Sequence, residues 1–293
     1  MVLLYFIGGS IEMLRALGFS NYDRLLIINA DDFGITRQAN RAIIDLLEKK
    51  YITSASLIAA AEFTEEAISL CNQSEHANVG VHLTLTDGYK PVSSEDEVKT
   101  LLDENGRFFG DPYFVETKAD RDHVKKELSK QIEKLISLGI DPTHLDSHQG
   151  SLLGLHTGHD FMDIVFDLCE MFGLPFLFPK NIVNQPFFSK KQKESFVHII
   201  GRAEDRKLPL IDDMISSPYE LKEGESYLKY KSKMIRAIEG LTPGITQLVV
   251  HPEVIDGGKS TTAFPIKREM EYMLLQDPDV LETIRQEGII TIS

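Results

Sequence analysis

Short apolar runs alternate with amphipathic stretches along the chain from Arg24 onward. The first run, LLIINA at 25–30, is apolar except for Asn29, which is typical of a buried strand. After the turn DDFGI, Thr36 stands where a helix would be capped. The apolar positions that follow share one helical face: Ala39, Ile43, Leu46 and Leu47. This alternation predicts βα units around a largely parallel sheet.

Seven later segments have the composition of strands: SASLIAA (54–60), VGVHLTL (79–85), THLD (143–146), LPFLF (174–178), LPLIDD (208–213), QLVVH (247–251) and GIITI (288–292). The clearest helix is predicted over about 120–138, with an apolar stripe formed by Val124, Leu128, Ile132, Leu135 and Ile136. The strand count predicts a single α/β domain of barrel type with roughly seven or eight parallel strands. We assign 24–293 to this domain and 1–23 to an N-terminal appendage, and we expect a long loop region over 86–118.

Composition and charge narrow the class of protein. The 293 residues are 42% hydrophobic and 26% charged, as in an ordinary globular domain. A formal net charge of -14 repels phosphate backbones, so we expect no nucleic-acid partner. No apolar run reaches the roughly 18 residues that would span a bilayer, so we expect no membrane partner. Cys71 and Cys169 match no metal or redox spacing, which predicts buried free thiols and favours the cytoplasm.

Polar residues that could bind a metal or transfer a proton lie where the predicted strands end. These are Asp31 and Asp32, His82, Asp146 and His148, and His251. Parallel α/β folds build their active sites at the carboxyl ends of their strands. Four separate strand ends therefore predict one shared site.

Each of these residues also has a plain structural interpretation. Adjacent carboxylates at Asp31 and Asp32 allow one to bind a metal while the other acts as a base, but Asp also favours turns. His82 lies in an otherwise apolar run, where an isolated histidine is more often a hydrogen-bonded core residue. His251 is a candidate acid for protonating a leaving amine, or a structural residue before proline.

The segment THLDSHQG adds the densest group of such residues. On an extended segment, His144, Asp146 and His148 project to the same side, so a ligand and its supporting partners share one pocket. One carboxylate with two imidazoles makes a three-ligand set with open positions for water and substrate. A divalent metal held in this way activates water and polarises a carbonyl, which is the chemistry of amide hydrolysis.

Five segments in this order resemble the YdjC-like family of carbohydrate deacetylases, relatives of the chitooligosaccharide deacetylases. They are NADDFG (29–34), TSASL (53–57), GVHLTLT (80–86), THLDSHQG (143–150) and VVHPE (249–253). The resemblance runs from about Arg24 to the C-terminus. It implies a distorted (β/α) barrel, a divalent metal, often a homodimer, and hydrolysis of an acetamide on a sugar.

The resemblance also implies roles for individual residues. Asp32, His82 and His148 match the metal ligands, Asp31 the general base and His251 the catalytic His-Pro segment, with His144 and Asp146 in support. The roles of Asp31 and Asp32 are exchangeable at this level. Gly150 stands where many members have a further histidine, which leaves the sugar open. His156 and His159 either line the cleft in its place or are exposed at the start of a helix.

The predicted function is therefore a metal-dependent hydrolase that deacetylates N-acetylated sugars, with Mg²⁺ or Zn²⁺ as the cofactor. One alternative is an amidohydrolase acting on a small non-sugar amide, and another is a sugar-binding protein without catalysis. Substrate choice is expected to depend on 86–118 and on 175–186, where Phe176, Phe178 and Pro179 either contact a sugar ring or belong to the core.

Overall fold

One parallel sheet organises the chain in the computed structural model, which describes residues 10–221, 223–255 and 262–293. Within those residues its strands are β1 (Arg24–Phe33), β2 (Ser54–Leu57), β3 (Val79–Leu83), β4 (Leu145–Ser147), β5 (Asp213–Ile215), β6 (Gly244–Val250) and β7 (Ile290–Thr291). Their order is β4-β3-β2-β1-β6-β5. Strand β7 pairs with the start of β1 at Leu25 and Leu26.

The two edge strands of this sheet are linked through residues 174–179. Phe176 forms a bridge with Leu145 of β4, and Pro179 forms one with Ile211, just before β5. The sheet is thereby curled into a distorted (β/α) barrel, as predicted. The segment LPFLF is not a full strand, however, because proline has no N–H to continue a hydrogen-bond ladder. The same limit applies to LPLIDD, which contains Pro209, and β5 begins only at Asp213.

Helices flank the sheet. They are α1 (Ser10–Ala16), α2 (Arg37–Glu48), α3 (Thr64–Gln73), α4 (Pro112–Lys118), α5 (Arg121–Ser137), α6 (Met162–Phe172), α7 (Lys190–Asp205), α8 (Tyr227–Glu239), α9 (Pro265–Leu275) and α10 (Pro278–Gln286). Thr36 caps α2 as predicted, its hydroxyl accepting from the Ala39 N–H at 3.0 Å. The predicted stripe on α5 is buried except at Ile136, which is 44% exposed.

The region 86–118 is more ordered than its composition predicts. It contains α4 and two 3-10 turns, at Glu95–Glu97 and Lys99–Leu101. The buried Glu127 of α5 accepts hydrogen bonds from the backbone N–H groups of Val92 and Ser93, both at 2.9 Å. A carboxylate on α5 thus satisfies backbone N–H groups of this region and holds it beside the end of β3.

Helix α1 packs against the sheet ahead of β1. Met13 and Leu14 are buried in a small cluster with Leu25, Ile27 and Ile245. Residues 1–9, the apolar segment MVLLYFIGG that begins the predicted N-terminal appendage, lie outside the described residues. Among the residues that are described, no helix is both long and apolar enough to cross a membrane. Cys71 and Cys169 are buried free thiols, as predicted.

Candidate metal centre and active site

The two adjacent aspartates lie at an irregular point of β1. Its register with β2 shifts between Ala30 and Phe33, and Asp32 has a φ of 65°. A left-handed conformation at a non-glycine residue costs roughly 1–3 kcal/mol and is retained mainly at functional sites. In a regular strand the two side chains would face opposite sides. Here both carboxylates approach the same ring nitrogen, His82 Nε2, at 3.8 and 3.7 Å.

Asp32, His82 and His148 form a buried cluster whose ligand atoms lie within 4.8 Å of one another. Asp32 Oδ1 is 3.2 Å from His148 Nδ1 and 3.7 Å from His82 Nε2. This oxygen is buried and has no hydrogen-bond partner among the described residues. A buried carboxylate oxygen without a donor is costly, and two imidazole nitrogens facing it complete a donor set for a divalent cation. The cluster therefore fits a metal ion.

A second set of residues holds His82 in place. His82 Nδ1 lies 2.6 Å from Asp146 Oδ1, which leaves Nε2 directed at the two aspartates. Asp146 Oδ2 accepts from the Ser56 hydroxyl at 2.5 Å, and that hydroxyl lies 3.1 Å from His144 Nε2. A carboxylate behind an imidazole fixes its orientation and raises its basicity as a ligand. His144 thus reaches the site through Ser56, without contacting the metal cluster directly.

The charge of the cluster also favours a cation. Burial lowers the pKa of His82, but the carboxylates of Asp146 and Asp31 outweigh that effect and raise it to about 10. Three carboxylates around one ring create a surplus of negative charge in a poorly solvated place. This potential attracts a positive charge, whether a proton or a metal.

The two neighbouring aspartates differ in acidity. Burial raises the pKa of Asp31 to about 6, against the lowering effect of His82. Burial also acts on Asp32, but the Arg268 guanidinium and His148 outweigh it and hold the pKa of Asp32 well below its usual range. Environments that separate two carboxylates in this way commonly separate their roles as well. Asp32 suits a permanently charged ligand, and Asp31 suits a group that accepts a proton near neutral pH.

Arg268, on α9, is a site residue that the sequence did not predict. Its Nη2 donates to Asp32 Oδ2 at 2.5 Å, so the oxygen facing the imidazoles is the one left free. Lys267 and Glu271 on the same helix are buried as well. In the sequence these charges resemble an ordinary solvated helix face, which is why only the packing of α9 reveals them.

His251 follows β6 and lies next to Asp31. Its Nε2 is 3.8 Å from Asp31 Oδ2 and 2.9 Å from the Tyr219 hydroxyl. Its backbone N–H donates to Glu271 Oε2 at 2.6 Å. Asp31 Oδ2 is thus equally distant from His82 Nε2 and His251 Nε2. The structure brings together the five residues predicted to act directly: Asp31, Asp32, His82, His148 and His251.

Of these residues, Asp31, His82 and His251 line a cleft of about 300 Å³, at the lower end of the roughly 300–1,000 Å³ of small-molecule sites. One side is polar and the other is an apolar wall formed by Leu153, Leu155, Phe176, Phe178, Phe187 and Phe188. Phe176 and Phe178 are buried core residues that also line the cleft. Phe187 is 58% exposed at the rim, with its ring centroid 4.6 Å from that of Phe188.

Other predicted contributors lie elsewhere. His156 and His159 are exposed and are not among the residues that line the cleft. Of the two segments expected to select substrate, 175–186 lines the cleft, whereas 86–118 approaches the site through Asp87. Asp87 Oδ2 lies 3.6 Å from His148 Nε2, on the far side of that ring from Asp32. The region 86–118 therefore approaches the candidate ligand His148 rather than the cleft wall.

Comparisons with known proteins agree with the motifs. A sequence model of the family described as YdjC-like protein matches residues 25–286, which confirms the resemblance. A carbohydrate deacetylase of Thermoanaerobacter pseudethanolicus is 29% identical over 269 residues, covering 91% of this chain and 96% of the relative. One of Clostridium beijerinckii is 28% identical over 271 residues, covering 92% and 98%.

A solved structure shares the fold. It is a protein of Enterococcus faecalis V583 described as a proposed cellobiose-phosphate cleavage protein, and it matches with a TM-score of 0.72 at 25% identity. The match covers 92% of this chain and 97% of that one. The likeness therefore extends over nearly the whole of both molecules.

Proposed function

The chain belongs to the YdjC-like family, and on this premise we propose that it is a metal-dependent hydrolase that removes acetyl groups from N-acetylated sugars. The observation that carries the proposal is the buried Asp32 Oδ1, which lacks a donor and faces two imidazole nitrogens beside a second carboxylate. The names of relatives that cover most of the chain support a sugar as the substrate.

Asp32, His82 and His148 would hold the metal. A divalent cation bound there lowers the pKa of water and polarises the substrate carbonyl. Two imidazoles with one carboxylate favour Zn²⁺, whereas Mg²⁺ is the better match if water supplies the remaining ligands. Arg268 supports this set because it donates to Asp32 Oδ2 and leaves Oδ1 for the metal.

Asp31 is the proposed base. The Asn29 amide donates to its Oδ1 at 2.7 Å, which leaves Oδ2 as the oxygen that faces the site. Burial raises the proton affinity of this carboxylate, with a pKa of about 6, so it takes a proton from the attacking water more readily than a solvated aspartate. Asp31 then holds that proton next to His251.

His251 is the proposed acid. Its Nε2 lies 3.8 Å from Asp31 Oδ2, the same oxygen that His82 Nε2 approaches. From there it would deliver a proton to the nitrogen that leaves with the sugar. Convergence of base, ligands and acid supports turnover over binding alone, because a binding protein does not need them together. The apolar wall suits a sugar ring, but it also accommodates the small non-sugar amide of the amidohydrolase hypothesis.

The test is acetate release from N,N'-diacetylchitobiose and a panel of N-acetyl sugars. Metal-stripped protein is compared with protein to which Zn²⁺ or Mg²⁺ has been restored, and we expect acetate only in the restored samples. Metal-loaded protein that releases no acetate from any of these sugars would contradict the sugar deacetylase. Acetate from a small non-sugar amide would then support the amidohydrolase.

The homodimer and the cytoplasmic location are further proposals that rest on the family resemblance and on the free cysteines. Light scattering coupled to size-exclusion chromatography checks the first. A mass of about twice the 33.0 kDa of the chain is expected, and a mass of one chain at micromolar concentration would contradict it.

A further inference from the structure

Helix α9 carries a buried carboxylate, Glu271, that has no role in the proposed reaction as described above. Glu271 is 2% exposed, and burial of an unpartnered carboxylate is strongly unfavourable. Its Oε1 has distant neighbours, the Ser217 and Tyr230 hydroxyls, each at 3.4 Å, and Lys267 Nζ at 3.8 Å. The short contact of this side chain is made by the other oxygen.

That oxygen, Oε2, is directed at His251. It accepts the His251 backbone N–H at 2.6 Å and lies 3.7 Å from the ring nitrogen Nδ1. Because one oxygen contacts both the backbone and the ring of His251, it constrains where the residue stands and how its ring is turned. The remaining ring nitrogen, Nε2, faces Tyr219 and Asp31 at the cleft.

A shorter contact of the same kind occurs at His82, where the carboxylate lies 2.6 Å from Nδ1, against 3.7 Å at His251. Asp146 stands behind Nδ1 of His82 and leaves Nε2 for the metal cluster. A carboxylate behind one nitrogen of an imidazole determines which nitrogen is presented to the reacting group. Replacing such a carboxylate by its amide in a hydrolase leaves the geometry intact and allows the wrong tautomer.

We propose that Glu271 is a positioning residue that holds His251 with Nε2 toward the cleft, where it protonates the departing amine. The inference rests on the proposed function. In the step concerned, the C–N bond of the tetrahedral intermediate breaks and its electron pair stays on nitrogen. That nitrogen takes the proton from His251 Nε2, the products are acetic acid and the free amine, and the proton that Asp31 took from water restores His251.

The test compares two substrates in Glu271→Gln. Glutamine keeps the size of the side chain and an acceptor for the His251 backbone, and it removes the charge. We expect kcat for an N-acetyl sugar to fall about 10- to 100-fold with little change in KM. Hydrolysis of 4-nitrophenyl acetate should stay within about threefold, because its leaving group departs as an anion and needs no acid.

The matched control is Glu269→Gln, the same chemical change two residues away on α9, where the side chain makes no described contact with the site. Both activities of this variant should stay within about twofold of wild type. An equal fall in both activities of Glu271→Gln, or no fall in either, would overturn the positioning role.

Failure of the proposed function is seen separately, in wild-type protein that releases no acetate from any N-acetyl sugar. The positioning role is then decided without substrate, by ¹⁵N spectra of the His251 ring in wild type and in Glu271→Leu, assigned with His251→Ala. A change in the protonated nitrogen of His251 supports it. Identical ring signals in both proteins would overturn it.

Discussion

The two histidines that flank Asp31 are supported in different ways. His82 of β3 and Asp146 of β4 are direct partners in the strand register, and their side chains meet at 2.6 Å. His251 is held from outside the sheet, by Tyr219 after β5 and by Glu271 of α9, whose carboxylate is 3.7 Å from the ring. The candidate metal side, around His82, is thus supported by paired strands, and the acid side, around His251, by a loop and a helix outside the sheet.

This difference predicts that the metal side is rigid and that the acid side tolerates adjustment. Strand pairing fixes His82 and its partner Asp146 through the backbone, whereas His251 depends on side chains from a loop and a helix. Helix α9 contacts both sides, because Arg268 binds Asp32 while Glu271 binds His251. Substitutions on each side therefore separate metal binding from proton transfer.

The largest effect is expected on the metal side, from His148→Ala. Removal of one of three protein ligands should reduce the bound metal from about one ion per chain to a small fraction, and turnover with it. Elemental analysis after dialysis measures the metal, with His156→Ala as the control because His156 is an exposed histidine outside the cleft. Retention of a full equivalent of metal by His148→Ala would remove His148 from the ligand set.

Asp31→Asn should keep the metal and lose the base. Asparagine has the size of aspartate but accepts no proton, so kcat should fall roughly 10²- to 10⁴-fold. Acetate release and metal content are measured on the same preparation, and full activity would show that Asp31 is not the base. The parallel variant, Asp32→Asn, distinguishes the two aspartates: if it keeps the metal and loses turnover, their roles are exchanged.

The support of each histidine provides the sharpest contrast. Asp146→Asn should weaken metal binding about 10- to 100-fold, because the carboxylate behind a metal-binding imidazole sets its orientation and basicity. Glu271→Gln should leave metal affinity within about twofold, since its carboxylate supports the other histidine. Competition with a chromophoric chelator measures both. Equal losses of affinity would show that the two sides form one unit.

The metal side could be predicted from the sequence because its signals are local. Polar residues at the ends of apolar runs mark Asp31, Asp32 and His82, and parallel topology brings such ends together. The alternation of His144, Asp146 and His148 also places the supporting residues on one side of an extended segment. What local pattern did not predict is the left-handed backbone of Asp32, which turns both aspartates to the same site.

The acid side could not be predicted in the same way. His251 was identified from its strand, but Glu271 and Arg268 lie on a helix whose charges look solvated until α9 is packed. Their roles depend on how α9 packs against the ends of the strands, for which periodicity gives no signal. The irregular segment 174–179 has a similar cause, because Pro175 and Pro179 interrupt a strand that composition alone predicts.

The smallest effect is expected at the apolar wall of the cleft, which would contact the substrate without taking part in metal binding or proton transfer. Phe187→Ala removes an exposed ring at the cleft rim, and an aromatic contact contributes about 0.5–1.5 kcal/mol, or about a 2- to 12-fold rise in KM for N,N'-diacetylchitobiose. Turnover at saturation should not change, because Phe187 contacts neither the metal cluster nor His251. Phe114→Ala is the control, since Phe114 is an exposed ring that does not line the cleft. A fall in kcat without a change in KM would place Phe187 with the acid side rather than with substrate binding.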